Sequence, residues 1–170
     1  IVTDKNIRVA GDELTQDIED YMRRHHNILI GERTAEQIKI EVGAAIDDLE
    51  NPPADYSVRG RDLVTGLPKD LMVTAKEVHV AIEDSLVRIV TAIKNTLEET
   101  PPDLVSDLSR NGIMLAGGGA LLHGLTDRLR YETGMPINIA EDPLYAVVNG
   151  AGKCVENIDL LKKILVPESK

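Results

Sequence analysis

The chain has 170 residues, 42% of them hydrophobic, which is enough for one domain or two small subdomains around a real core and too apolar for a disordered chain. With no Phe, no Trp and four Tyr, that core must be aliphatic, and stacking of bases on aromatic rings is disfavoured as a binding mode. A formal net charge of −10 argues against a nucleic-acid backbone or an anionic membrane surface as the main partner. The single Cys154 rules out an internal disulfide and fits a reducing compartment. No run reaches transmembrane length and no signal peptide opens the chain. Ile1-Val2-Thr3 starts directly in strand-like sequence, which suggests a piece of a longer protein.

Residues 1–10 read as an edge or hairpin strand ending at Gly11. Asp12 is placed as the N-cap of a helix over 13–27, whose apolar face is Leu14, Ile18, Tyr21 and Met22. His25 and His26 are adjacent, so on a helix they point about 100° apart and cannot form the i, i+4 pair that metals use. Gly31 breaks the pattern. Thr34-Ala35-Glu36-Gln37 then reads as a capping box opening a second helix, with Ala35, Ile38, Val42 and Ile46 as its buried stripe. Glu36, Lys39 and Gly43 lie along the border of that stripe. Spacing alone allows two readings. One is a solvated ion pair worth roughly a few tenths of a kcal/mol, the common fate of such pairs on helix surfaces. The other is a polar edge facing a bound base or ribose, with Gly43 giving clearance.

Residues 50–56 form a break. Two strand-like pieces follow, Tyr56 to Val64 and Lys69 to Val73, around Thr65-Gly66-Leu67-Pro68, a hairpin signal. Arg59, Arg61 and Asp62 alternate with their neighbours as a solvated strand face does. Thr74-Ala75-Lys76-Glu77 is a second capping box and opens a helix over 75–99. Val78, Ile82, Leu86, Ile89, Ile93 and Leu97 form its one-sided stripe. Pro101-Pro102 ends that helix, and a short one from Leu104 to Ser109 leads onward.

The chain is organised around Gly112 to Gly124. Ile113 to Ala116 is an apolar run of strand length, followed by Gly117, Gly118 and Gly119 and then by Leu121, Leu122, Leu125 and Leu129 at helical spacing. Strand, glycine turn, helix brings backbone close to a ligand: glycine takes positive φ and leaves room, and a helix starting there presents unpaired N–H groups. The dinucleotide fingerprint G-x-G-x-x-G fails at Leu122, and the phosphate loop with Lys-Ser or Lys-Thr fails at Ala120-Leu121. A tight turn without a ligand is the alternative. Beyond it, Gly134 is a helix C′ residue and Pro136 to Ala140 a buried strand. Asp142-Pro143 caps and starts a helix over 143–154, where Gly150 and Gly152 predict close helix packing. Val166 to Lys170 reads as a frayed tail. There is no Ser-His-Asp ordering, metal cluster or internal repeat.

Several motifs then coincide in order along nearly the whole chain. Ile7-Arg8-Val9-Ala10-Gly11-Asp12, Leu29-Ile30-Gly31-Glu32-Arg33-Thr34-Ala35-Glu36-Gln37-Ile38-Lys39, Val58-Arg59-Gly60-Arg61-Asp62-Leu63-Val64-Thr65-Gly66-Leu67-Pro68, Leu115-Ala116-Gly117-Gly118-Gly119-Ala120-Leu121 and Ala140-Glu141-Asp142-Pro143-Leu144 together resemble the MreB family of bacterial actin homologues. The resemblance implies an α/β, ribonuclease H-like fold of the actin and heat-shock-chaperone ATPase superfamily. It implies the second large (C-terminal) domain, with a smaller inserted α+β subdomain. Residues 1–44 and 101–170 would form the nucleotide-facing subdomain, lacking its first strands, and 45–100 the inserted outer one.

By the same resemblance, Gly117, Gly118 and Gly119, and more weakly Ala120 and Leu121, lie against an adenosine, while Glu36 and Lys39 reach its adenine and ribose. That favours the second of the two readings of the pair. The implied cofactor is ATP with Mg, shared with an N-terminal domain that holds the first phosphate loop and the carboxylates orienting water and Mg. The second phosphate loop is expected just before Ile1. This chain alone is therefore expected to supply no catalytic or metal-binding residue and not to hydrolyse ATP, the complete protein being a weak ATPase. The implied function is an ATP-binding, filament-forming cytoskeletal protein that organises cell-wall synthesis and rod shape. Its expected partners are itself, head to tail through residues 45–110, and membrane proteins of the rod-shape complex. No nucleic acid is expected, and membrane contact would come through regions outside this chain. The expected location is the cytoplasm, at the inner face of the cell membrane. Two alternatives remain: a chaperone-like or division-associated ATPase of the same superfamily, and a non-catalytic interaction module that has lost nucleotide binding.

Overall fold

In the computed structural model, which describes residues 1–158, the first regular element is a helix, α1 (Gly11–His26), and not a strand. Residues 1–10 form no regular element and no ladder, and only Val9 among them is buried. The β-branched residues at the start favour a pleated, half-buried surface, but that preference needs a partner strand to act on. α1 begins at Ala10 without a side-chain cap, so Asp12 sits inside the first turn, where its charge complements the helix dipole. Asn27, in the left-handed region at φ 53°, ends it. Its buried face is Leu14, Thr15, Ile18 and Met22.

A short strand, β1 (Ile28–Leu29), leads to α2 (Glu32–Val42). The expected box at Thr34 does not form: Gly31 is the N-cap and no side chain caps the helix. Glu32 and Arg33, good helix formers, extend α2 back past Thr34. Ala35, Ile38 and Val42 are buried as the spacing predicts, while Ile46 lies beyond the helix and only partly covered. Strands β2 (Tyr56–Asp62) and β3 (Pro68–Val73) form the expected antiparallel hairpin, in register from Tyr56↔Val73 to Arg61↔Pro68. Asp62 organises the tip by accepting from the amides of Val64 and Thr65, both at 2.8 Å. β1 pairs antiparallel with the other edge of β2, giving the order β1-β2-β3.

Helix α3 (Ala75–Glu99) opens on a complete capping box: Thr74 Oγ1 accepts from the Glu77 amide at 3.2 Å, and Glu77 Oε2 accepts from the Thr74 amide at 2.9 Å. Val78, Ile82, Leu86 and Val90 are buried, while Ile89 and Ile93 are partly covered. α4 (Pro102–Asn111) follows, longer at both ends than predicted. β4 (Ile113–Leu115) pairs in parallel with β5 (Ile137–Ile139), and between them runs α5 (Leu125–Thr133), ended by Gly134 at φ 67°. α6 (Ala146–Glu156) starts after Tyr145, because residues 143–145 make a turn in which Asp142 O accepts from the Tyr145 amide at 2.9 Å. Among the described residues, Gly150 and Gly152 have no neighbour in reach and α6 buries no residue, so the expected close packing is not seen within them. The tail at Val166 to Lys170 lies outside the described residues.

One aliphatic core joins these elements. Ile18 and Met22 of α1, Ile28 of β1, Ile38 and Val42 of α2, Val58 and Val73 of the hairpin, Ile82 and Leu86 of α3 and Leu129 of α5 are almost fully enclosed. None of the described helices is long and apolar enough to cross a membrane.

Candidate functional site

The first half of the site is built between α1 and α2. Glu36 and Lys39 are one turn apart on α2 and face the start of α1. Lys39 Nζ donates to three acceptors: Gly11 O at 2.9 Å, Thr15 Oγ1 at 2.9 Å and Glu36 Oε2 at 2.5 Å. An ammonium has three protons, so the donor is fully used inside the protein. Thr15 Oγ1 lies 2.7 Å from Glu36 Oε2 and 2.9 Å from Gly11 O. The side chain of Lys39 is 13% exposed, whereas that of Glu36 is 45% exposed. Partial burial pushes the Glu36 carboxyl up, but hydrogen bonds from Lys39 and Thr15 and the Lys39 charge outweigh it and hold the group below the usual carboxylate range. The pair is therefore more than a solvated surface bridge.

The second half is the glycine stretch. Gly117 has φ 85° and donates its amide to Pro143 O at 2.7 Å. Residues Gly118–Leu121 then form a 3₁₀ turn. Among the described residues, a Cβ built on Gly117 or Gly119 would meet nothing within 4 Å, and one on Gly118 would meet only the Leu144 side chain, at 3.3 Å. Ala120 is buried and Leu121 is half exposed. The predicted helix does not start at the glycines. Gly124, at φ 73°, breaks the apolar run, and α5 begins only at Leu125. A Cβ built on Gly124 would meet the Ile46 and Leu49 side chains, at 2.7 and 2.9 Å.

The start of α1 and the glycine segment adjoin: Gly11, whose carbonyl Lys39 holds, and Gly119 both line a mostly aliphatic cavity of about 180 Å3, which Glu36, Lys39, Gly117 and Gly118 do not line. Gly43 was expected to give clearance to a ligand, but it is buried instead: a Cβ there would lie 2.2 Å from Lys39 O and 2.7 Å from Leu122 Cδ1. It makes room for the glycine segment, not for a ligand. Among the described residues, no group of three or more His, Cys, Asp or Glu side chains is placed to hold a metal ion.

The family model for MreB/Mbl protein matches residues 1–163. The chain belongs to the MreB/Mbl family. It is 44% identical over 163 residues to the cell shape-determining protein Mbl of Bacillus subtilis (strain 168), covering 96% of this chain and 48% of the relative. It is 42% identical over 160 residues to the cell shape-determining protein MreB of Escherichia coli (strain K12), covering 94% and 46%. MreB5 of Spiroplasma citri bound to ADP superposes with a TM-score of 0.87 at 34% identity, over 93% of this chain and 47% of that one. The same protein bound to AMPPNP gives 0.88 at 32% identity, over 97% and 49%. The MamK double helical filament, at 21% identity, 88% and 45% coverage and a TM-score of 0.70, shares the actin-like fold. The chain spans about half the length of the curated relatives it matches.

In this MreB/Mbl chain the structure adds two residues that the spacing of Glu36 and Lys39 did not reveal, Thr15 and the carbonyl of Gly11. Both come from α1, more than twenty residues away in sequence. A hydroxyl on the apolar stripe of α1, next to Leu14, was the one local signal. A further network braces the glycine segment from behind. Ala44 bridges His123 in parallel, and Ala45 N donates to His123 O at 2.8 Å. Arg128 of α5 donates to Ala45 O at 3.0 Å and grips both oxygens of Glu83 on α3. Those bonds hold the Glu83 carboxyl below its ordinary range and raise the Arg128 guanidinium above its own.

Proposed function

We propose that this chain forms one side of the ATP cleft of a filament-forming, actin-like cytoskeletal protein that determines rod cell shape. The observation that carries the reading is the open glycine turn: Gly117 and Gly119 present backbone with free space where a side chain would stand, and Gly119 shares a cavity with the Gly11 turn that Lys39 holds. The MreB5 neighbours, bound to ADP and to AMPPNP, support a nucleotide as the occupant. Gly117, Gly118 and Gly119, with Ala120 behind them, take the adenosine face. Glu36 accepts from the ribose hydroxyls, and Lys39 holds that carboxylate and the α1 start in place. ATP with Mg, when bound, supplies the hydrolysable phosphoanhydride and a bridge to the other domain. Its phosphates and metal fall to residues outside this chain.

The division into a nucleotide-facing unit (1–44 and 101–170) and an outer unit (45–100) belongs to the same proposal. So do head-to-tail self-assembly through residues 45–110, docking of rod-shape membrane proteins, a place at the inner face of the cell membrane, and weak ATPase activity of the complete protein. ATP binding used this way is a conformational switch that favours polymerisation.

The test is Gly119→Val in the full-length protein. A Cβ added there meets none of the described residues within 4 Å, so folding should be retained by circular dichroism. Isothermal titration with ATP and Mg should show affinity reduced by about tenfold or more, a loss on the order of 1.4 kcal/mol or greater. Undiminished affinity overturns the adenosine assignment. Absence of nucleotide binding in the unaltered protein would favour the interaction-module alternative.

A further inference from the structure

Thr15 is buried, the residue being 3% exposed, yet its hydroxyl sits at the centre of the polar cluster. Its geometry decides how the cluster can act. Lys39 spends one proton on Gly11 O, one on Thr15 Oγ1 and one on Glu36 Oε2. With Gly11 O already served by Lys39, the single Thr15 proton is free to go to Glu36 Oε2, 2.7 Å away. Oε2 thus receives two donors from opposite elements, α1 and α2. Oε1 has no hydrogen-bond partner among the described residues, while nearly half of the side chain remains exposed. The carboxylate is pinned by one oxygen and offers the other.

We propose that Thr15 is a positioning residue that fixes the Glu36 carboxylate so that Oε1 stands as a dedicated acceptor for a sugar hydroxyl, making the site selective for ribonucleotides over deoxyribonucleotides. This rests on the ribose assignment above. The chemistry follows from the donor count. The cluster has no free N–H or O–H to give a ligand, so it can recognise only a donor, and with the ribose set against Glu36 as proposed that donor is a sugar hydroxyl. A ligand lacking the hydroxyl leaves an anchored anion facing the sugar without a partner, which a charge-assisted bond in a half-exposed setting converts to about a tenfold loss of affinity. Without Thr15, Glu36 keeps only the Lys39 anchor on its own helix and can turn with it, so the acceptor is no longer held in one place.

The experiment compares ATP with 2′-deoxy-ATP and 3′-deoxy-ATP, each with Mg, by isothermal titration in the full-length protein carrying Thr15→Val, Thr15→Ser or Glu36→Gln. The unaltered protein should prefer ATP over one deoxy analogue by about tenfold. Thr15→Val, isosteric but without the hydroxyl, should reduce that ratio to within about threefold, while Thr15→Ser should restore it. The ratio is independent of how much protein is folded, so a merely structural role would leave it unchanged. A full ratio in Thr15→Val, or no rescue by Thr15→Ser, overturns the inference. If Glu36→Gln abolishes the preference while Thr15→Val does not, the inference fails and the ribose assignment stands. If the unaltered protein shows no preference at all, the ribose assignment fails with it.

Discussion

Replacing Lys39 by Met removes one ammonium and little volume, so it isolates the polar cluster from packing. The structure sets the size of the effect. Lys39 donates three hydrogen bonds, at 2.9, 2.9 and 2.5 Å, from a side chain 13% exposed. Breaking a fully buried ion pair costs roughly 3–5 kcal/mol, because a charge is left without a partner. Here the abandoned carboxylate is 45% exposed and can take up water, and Thr15 still reaches it, so the cost falls toward that of a charged hydrogen bond, about 2 kcal/mol. For a chain of this size that corresponds to a melting point lower by roughly 4–8 °C. Equilibrium urea denaturation should show the midpoint moved and the slope unchanged, which marks a loss of stability without a change in exposed surface. Lys76→Met is the comparison: Lys76 pairs with Asp47 at 3.0 Å but is 72% exposed, and its loss should cost less than about 0.5 kcal/mol. Equal, small effects from the two substitutions would falsify the claim that the cluster contributes to the fold.

The Glu36 carboxyl is held below its usual range in the folded chain, so it contributes stability that is present above the unfolded value and lost as pH falls through the folded one. Acid titration of stability should therefore show a steeper decline in the unaltered chain than in Lys39→Met. Gly124→Ala and Gly134→Ala both place a side chain at positive φ, at 73° and 67°, which costs about 1–2 kcal/mol. Only at Gly124 does the new Cβ also meet Ile46 Cγ1 at 2.7 Å and Leu49 Cδ2 at 2.9 Å, so thermal melts should place it lower than Gly134→Ala by about a further 1 kcal/mol or more. Thr74→Ala removes half of the α3 capping box and should cost about 1 kcal/mol by urea denaturation.

Legibility followed the range of the forces. α3 could be read to the residue because its limits are set locally, by a capping box at Thr74 and by prolines at 101 and 102, and its stripe by helical period. The hairpin was equally local, its turn fixed by Asp62 and Gly66. The misses are places where a neighbour decides. Residues 1–10 have strand composition and no ladder. The Thr34 box lost to two helix-forming residues ahead of it, and Asp142-Pro143 lost to a turn closing on Tyr145. Leu121, Leu122 and Leu125 kept helical spacing across Gly124, whose positive φ the pattern of leucines cannot reveal. At the site, Glu36 and Lys39 were visible as a spacing on one helix. What turns them from a surface pair into a cluster is Thr15 and the Gly11 carbonyl, supplied by α1 through packing alone.

That packing has a consequence for how a ligand is held. Gly43 lets the end of α2 lie directly on Leu122, the Ala44–His123 bridge continues the contact, and Arg128 ties Ala45 to Glu83 on α3. The segment 43–45 therefore welds the helix carrying Glu36 and Lys39 to the segment that follows Gly117 to Gly119. The two segments cannot shift past each other without breaking the Ala45 N to His123 O bond and the Arg128 bond to Ala45 O, both costly to leave unmade in a buried setting. A nucleotide bridging Glu36 and the glycine turn would meet a surface already shaped, and would lose little in ordering it. Under the proposed function, movement that accompanies nucleotide binding would then arise in whatever faces this surface across the ligand, with the present chain as the wall against which the other side closes.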